Sequence, residues 1–241
     1  MERALYDRFA EVEHKHWWFV AYRRIIAGVI ASLGLPRDAK ILDAGCGNGG
    51  NLAMLSQFGE VYASEMDGEA AKRSVDKRIA KAVKHEALPE QCSFDNNFFD
   101  LIVMLDVLEH IKDDGKALGV LRDKLKTGGK LLVAVPAYMF LWSGHDVANH
   151  HWRRYTRAGL RRVIASAGFV NGYASYFNVC LFPAAALGRF IKRIKGDGSH
   201  DLAMPAPWLN RALTSLFGNE ALFIPKISFP FGVSLMAIAT K

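Results

Sequence analysis

The segment I-L-D-A-G-C-G-N-G-G, residues 41–50, constrains this chain more than any other. Lys40 to Ala44 reads as a short strand, and residues 50–58 read as a helix after the glycines. A glycine turn between strand and helix lets backbone approach a ligand without Cβ interference. Ligands on α/β sheets bind outside the carboxyl ends of strands. Gly45, Gly47 and Gly50 also satisfy the GxGxxG pattern of dinucleotide sites. Asp43, two residues before the first glycine, alters the balance. Its carboxylate accepts from an ammonium group and repels a pyrophosphate, so a zwitterionic amino-acid ligand fits better than a diphosphate.

Beyond this turn, strands and helices alternate. Strands are expected at Val61 to Glu65, weakly near Ala82 to His85, at Leu101 to Leu105 and at Lys130 to Val135, with two more at Asn171 to Phe177 and Val233 to Ala239. Helices are expected over 4–33, from Gly68 to Arg78, from Gly115 to Leu125 and from Thr156 to Ala167. The alternation implies a doubly wound, mostly parallel sheet covered on both faces. The 241 residues, about half of them apolar, suffice for one such domain with elaborations.

Three widely spaced cysteines make neither a disulfide framework nor a zinc motif, so the expectation is a cytoplasmic chain with no bound metal. No apolar run approaches the length of a bilayer span, and the charged N-terminus is not a secretory signal. The net charge of +7 gathers partly at Arg153, Arg154, Arg157, Arg161 and Arg162, and again at Arg189, Lys192, Arg193 and Lys195. Such clusters suit a solvated face, an anionic substrate, a membrane surface or a nucleic acid.

Two further motifs follow strands. Glu65 closes the second, 20 residues after Gly45, where a carboxylate takes both hydroxyls of a ribose. F-D-L-I-V-M-L-D-V-L-E-H-I, residues 99–111, delivers Asp106 to the sheet edge with Leu108, Glu109 and His110 directly behind it. Together the three motifs resemble the class I S-adenosylmethionine-dependent methyltransferases of the small-molecule type 11 group, over about residues 40–170. The resemblance implies a seven-stranded Rossmann-like sheet and S-adenosylmethionine as cofactor. Gly45, Gly47 and Gly49, with Cys46 and Asn48 between them, would line its methionyl part, and Asp43 would meet its amino end. Glu65 would hold the ribose, and Met66, Ala87 and Leu88 would flank the adenine. Asp106 and Val107 would border the reacting methyl. Glu65 stands where an Asp is commoner, and Ala87-Leu88 where an Asp is frequent. No N-P-P-Y or D-P-P-Y stretch follows the fourth strand, so a nucleic-acid acceptor is not expected.

The division expected is an N-terminal helical cap at 1–36, a cofactor-binding core at 37–177, a helical insertion at 178–228 and a final strand at 229–241. The cap carries Trp18 and Arg23, which could shield a sulfonium and pair with a cofactor carboxylate. After the fifth strand, A-Y-M-F-L-W-S-G-H-D-V-A-N-H-H-W-R-R-Y-T brings His145, Asp146, His150, His151, Arg154 and Tyr155 together. Methyl transfer to a hydroxyl needs alignment and a base. His150 or His145 is the expected base, oriented by Asp146, and Arg154 would read an acidic substrate group. Within the insertion, Leu187, Phe190, Ile191 and Ile194 share one helical face, and Trp208, Leu209, Leu213, Leu216 and Phe217 another. Those faces suit a lid, a homodimer surface or peripheral membrane contact. The expected acceptor is small or lipid-linked, with oxygen the preferred atom. The rival readings are an NAD-dependent oxidoreductase and a non-catalytic protein that binds the same cofactor.

Overall fold

The computed structural model describes the backbone of residues 3–195 and 204–241, and the side chains of 6–188 and 204–241. Seven strands form one sheet: β1 (Lys40–Ala44), β2 (Glu60–Glu65), β3 (Ala82–His85), β4 (Phe99–Leu105), β5 (Leu125–Pro136), β6 (Val170–Phe177) and β7 (Ser234–Thr240). Their spatial order is β3-β2-β1-β4-β5-β7-β6. β7 runs antiparallel to both neighbours, and the other pairings are parallel. The chain order reverses between β1 and β4, and a crevice opens at the carboxyl ends of strands at such a switch point.

Periodicity explains the central strands. Leu101, Ile102, Val103 and Met104 of β4 are all fully buried, which suits a strand covered on both faces. One core lies between the sheet and the helices α5 (Asp114–Lys124) and α7 (Arg157–Ser166). The other lies beneath α2 (Trp17–Ala31), which buries Ile25, Ile26, Val29 and Ile30. Each such side chain is worth about 1.5–3 kcal/mol of burial.

Three elements differ from the periodicity-based expectation. The helix predicted over 4–33 is two helices, α1 (Arg3–Val12) and α2, because competing bonds satisfy the backbone at the break. The Trp18 amide donates to Nδ1 of His16 at 3.3 Å, and the Trp17 amide donates to Oδ1 of Asn210 at 2.8 Å. The helix expected over 50–58 shrinks to α3 (Leu52–Leu55) between turns. β5 begins five residues before Lys130, since Leu125 already pairs with Phe99 across a register shift. The remaining helices are α4 (Gly68–Asp76), α6 (Gly144–Ala148), α8 (Phe182–Lys195) and α9 (Pro207–Gly218). Of the two apolar faces expected in the insertion, the side chains at 190, 191 and 194 lie outside the described residues. On α9, Phe217 is buried and lies tilted against Trp17, ring centroids 5.0 Å apart, whereas Trp208 is 71% exposed. No helix among the described residues is long and apolar enough to cross a membrane.

Candidate active site

The carboxyl edges of β1 and β2 carry the first half of the site. Asp43, the penultimate residue of β1, is buried, and neither carboxylate oxygen has a hydrogen-bond partner. Desolvation, and then the charge of Glu65, pushes its carboxyl up to about 7. The glycine loop follows at once. Gly45 has φ +86°, and a Cβ there would lie 2.5 Å from Cγ2 of Val107, so the loop and the segment after β4 pack backbone against side chain. Gly47 has φ +55° and opens on empty space, with no atom within 4 Å of where a Cβ would stand. Its amide donates to Oε2 of Glu65 at 2.8 Å. That bond ties the loop to the end of β2, 18 residues away.

The cap closes over this loop. The side-chain Nδ2 of Asn48 donates to the Tyr6 carbonyl at 2.8 Å, Arg73 pairs with Asp7, and Lys77 pairs with Glu13 at 2.8 Å. The Tyr6 hydroxyl donates to Oε1 of Glu65 at 3.2 Å, an atom that also accepts from the Asp67 amide. Tyr6 therefore sits on the carboxylate expected to hold a ribose, a contact invisible in the sequence. Met66 is 66% exposed, while Ala87 and Leu88 are partly buried beside the end of β3. Arg23 donates to the Glu13 carbonyl at 2.6 Å, which pins it to the break between the cap helices. Trp18 makes an edge contact with Trp17 at 5.7 Å.

The second half begins at Asp106, which adopts φ +55° at the end of β4. Its side chain is exposed by area, yet desolvation still pushes its carboxyl up to about 6, against the pull of Tyr22, His151 and Arg154. Tyr22, from α2, brings a buried hydroxyl beside Asp106. Behind Asp106, Glu109 is fully buried with both oxygens unpartnered. Burial, then the charge of Asp106, raises its carboxyl well above the usual range. His110 stands edge-on to His151 at 4.5 Å, and burial lowers its imidazole to about 3, so it is neutral.

His151 comes from the loop after β5. Its Nδ1 meets Oδ1 of Asp146 at 2.9 Å, and its Nε2 lies 4.0 Å from Glu109. Arg154 grips the same Asp146 with two bonds, at 2.7 and 3.0 Å. Burial opposes the charge of Asp146, but His151 and Arg154 outweigh it and hold the carboxyl far below the carboxylate range. The capping box at Ser143 fixes Asp146 from the other side, the Ser143 amide donating at 2.8 Å. Arg154 is thus buried in an internal ion pair, and His145 and His150 lie on the exposed side of the loop. The groups that act on Asp106 are Tyr22, Glu109, His151 and Arg154, of which Glu109 lies within the D-V-L-E-H stretch. A surface recess of about 740 Å³, lined by Leu35, Pro36 and Phe58 among others, sits at the opposite edge of the sheet and touches none of these groups.

The residues at the β1–β2 edge fit S-adenosylmethionine on structural grounds. An orphaned buried carboxylate awaits a cation beside a loop with open space in front of it. A diphosphate would be repelled by that carboxylate, which removes the dinucleotide reading. Comparison with known proteins agrees. Residues 15–173 match a family model described as a methyltransferase domain. The ubiquinone biosynthesis O-methyltransferase of Alkalilimnicola ehrlichii is 26% identical over 54% of this chain and 59% of its own length. The chain spans no more than about three fifths of the curated relatives it matches. A solved S-adenosylmethionine-dependent methyltransferase from Archaeoglobus fulgidus shares the fold with a TM-score of 0.59, at 17% identity over 97% of this chain and 99% of that one. A chain from the complex of the Haloferax volcanii Trm112 methyltransferase activator with a methyltransferase reaches 0.64, at 16% identity over 98% of this chain and 94% of that one. The chain therefore belongs to the methyltransferase domain family.

Proposed function

We propose that this enzyme transfers a methyl group to an oxygen of a small or lipid-linked acceptor, in the recess between the glycine loop and His151. The observation that carries the reading is the pairing of two buried acids at adjoining strand ends: Asp43 without a partner, and Glu65 bonded to the loop through Gly47. Asp43 takes the ammonium of the cofactor, the backbone of 45–49 follows its methionyl chain, and Glu65 takes its ribose in place of Tyr6. Met66, Ala87 and Leu88 border the adenine. Trp18 and Arg23 close the cap side, and Asp106 and Val107 face the reacting end.

S-adenosylmethionine supplies an electrophilic methyl on a sulfonium. The chain supplies alignment, exclusion of water and management of the acceptor's proton. Glu109, His110 and His151 form the polar wall beside Asp106. His151 is the histidine that Asp146 orients, so the geometry favours it over His145 and His150 as the group that meets the acceptor hydroxyl. Arg154 then acts on Asp146 and not on substrate. The O-methyltransferase relative supports oxygen, and the exposed Trp208 and Phe223 support contact with a lipid-bearing acceptor.

The experiment has two parts. Calorimetry should show S-adenosylhomocysteine binding and no NADH binding. Methyl-tritiated cofactor should then label phenolic or catechol acceptors in preference to amines. Binding of NADH, or label going only to amines, would overturn the corresponding part of the reading. Co-sedimentation with anionic vesicles, lost in Trp208→Ser, checks the lipid contact.

A further inference from the structure

The wall behind Asp106 holds a donor set that acid–base chemistry alone does not explain. A carboxylate oxygen of Glu109, a ring nitrogen of His110 and a ring nitrogen of His151 all lie within 4.8 Å of one another. Glu109 has no hydrogen-bond partner for either oxygen although it is fully buried. A buried carboxylate without a donor is costly until a proton or a cation meets it. With the Nδ1–H of His151 donated to Asp146 at 2.9 Å, its Nε2 lone pair is turned toward Glu109. A carboxylate behind an imidazole in this way is the outer-shell arrangement that orients histidine ligands on metals. Arg154 and Ser143 hold that carboxylate in turn. The charges felt by Glu109 come from Asp106, Asp146 and Arg154. Ionised, the three carboxylates face one guanidinium, and a dication matches the imbalance.

We propose that Glu109, His110 and His151 bind a divalent transition-metal cation on the acceptor side of Asp106. Two imidazoles and one carboxylate suit zinc, manganese or iron(II), and leave coordination positions open. Bond lengths of about 2.0–2.2 Å place the ligand atoms of such an ion roughly 3–3.5 Å apart, so modest side-chain rotations close the triad. With Nε2 of His151 on the ion, the ion in place of His151 would take an oxygen of the acceptor and ease loss of its proton to water. This role rests on the preceding placement of the acceptor, whereas ion binding itself does not.

The test uses the full chain, stripped with EDTA and then titrated separately with Zn²⁺, Mn²⁺ and Co²⁺. Calorimetry and elemental analysis should find about one ion per chain, and Co²⁺ should give visible d–d absorption. Glu109→Gln and His151→Ala should abolish uptake. Asp146→Asn, which removes no ligand, should weaken it roughly 10- to 100-fold. S-adenosylhomocysteine binding, measured on every variant, should persist and report that each is folded. Wild-type protein that binds S-adenosylhomocysteine but takes up no ion and gives no Co²⁺ spectrum overturns the metal site and leaves the methyltransferase reading standing. Uptake unchanged in Glu109→Gln and His151→Ala also overturns it. Ion uptake without S-adenosylhomocysteine binding would instead sink the cofactor placement and keep the metal site.

Discussion

The edge proposed to hold the cofactor joins a glycine backbone to two strand-end acids, and the edge proposed for the acceptor is made of side chains from two separate segments. At the first, Gly45 to Gly49 follow β1 directly and Glu65 ends β2, so strand pairing brings them together. At the second, Glu109 and His110 follow β4, whereas Asp146, His151 and Arg154 arrive from the loop after β5. Only a closed network of ion pairs and hydrogen bonds holds those groups in register. The difference teaches where robustness lies. A loop set by strand pairing keeps its place when one side chain is lost, while a buried charge network loses its arrangement when one member is removed.

The largest expected effect tests that contrast at the acceptor edge. Arg154→Ala leaves the buried Asp146 with only His151 and Ser143 as partners, and urea unfolding should show a loss of about 3–5 kcal/mol. S-adenosylhomocysteine affinity of the folded fraction should hardly change. A variant as stable as wild type would show that the network does not organise this edge.

Next comes Gly45→Val at the cofactor edge. The left-handed backbone and the approach to Val107 should cost about 2–4 kcal/mol, and the same calorimetry should register lost binding. Asp43→Ala and Glu65→Ala should each weaken S-adenosylhomocysteine binding by about 1–3 kcal/mol, with little change in metal uptake. Unchanged affinity in both would break the comparison outright.

Asp43 also sets a pH dependence. Its folded carboxyl lies near 7, above its ordinary value of 3.8, so the folded protein binds the extra proton between those values. Stability of the cofactor-free chain should fall as pH rises from about 4 to about 7, and Asp43→Asn should flatten that slope. Affinity for S-adenosylhomocysteine should run the other way, falling by up to about tenfold per unit as pH drops below 7, because the ammonium needs the ionised carboxylate. Denaturation and calorimetry at pH 5 and pH 8 decide both signs.

The smallest effect is expected at Tyr6. If its hydroxyl merely occupies Glu65 until a ribose displaces it, Tyr6→Phe should tighten binding by less than about 1 kcal/mol. Weaker binding would mean instead that Tyr6 contacts the cofactor.

Much of this architecture was legible from residue order. The apolar run at 101–105, the glycines after Ala44 and the acids at 43, 65 and 106 mark strand ends through local geometry, and local geometry is written in consecutive residues. The break at His16 was not legible, since its decisive bond comes from Asn210, 193 positions away. Nor was the early start of β5, which depends on Phe99 as a partner. Tyr6 on Glu65, Tyr22 beside Asp106, and the choice of His151 over its neighbours depend on which helix crosses which strand end. Sequence determined that an acid-flanked glycine turn would follow β1. Tertiary structure decided which histidine faces the buried glutamate, because desolvation and orientation arise only when distant segments exclude water together.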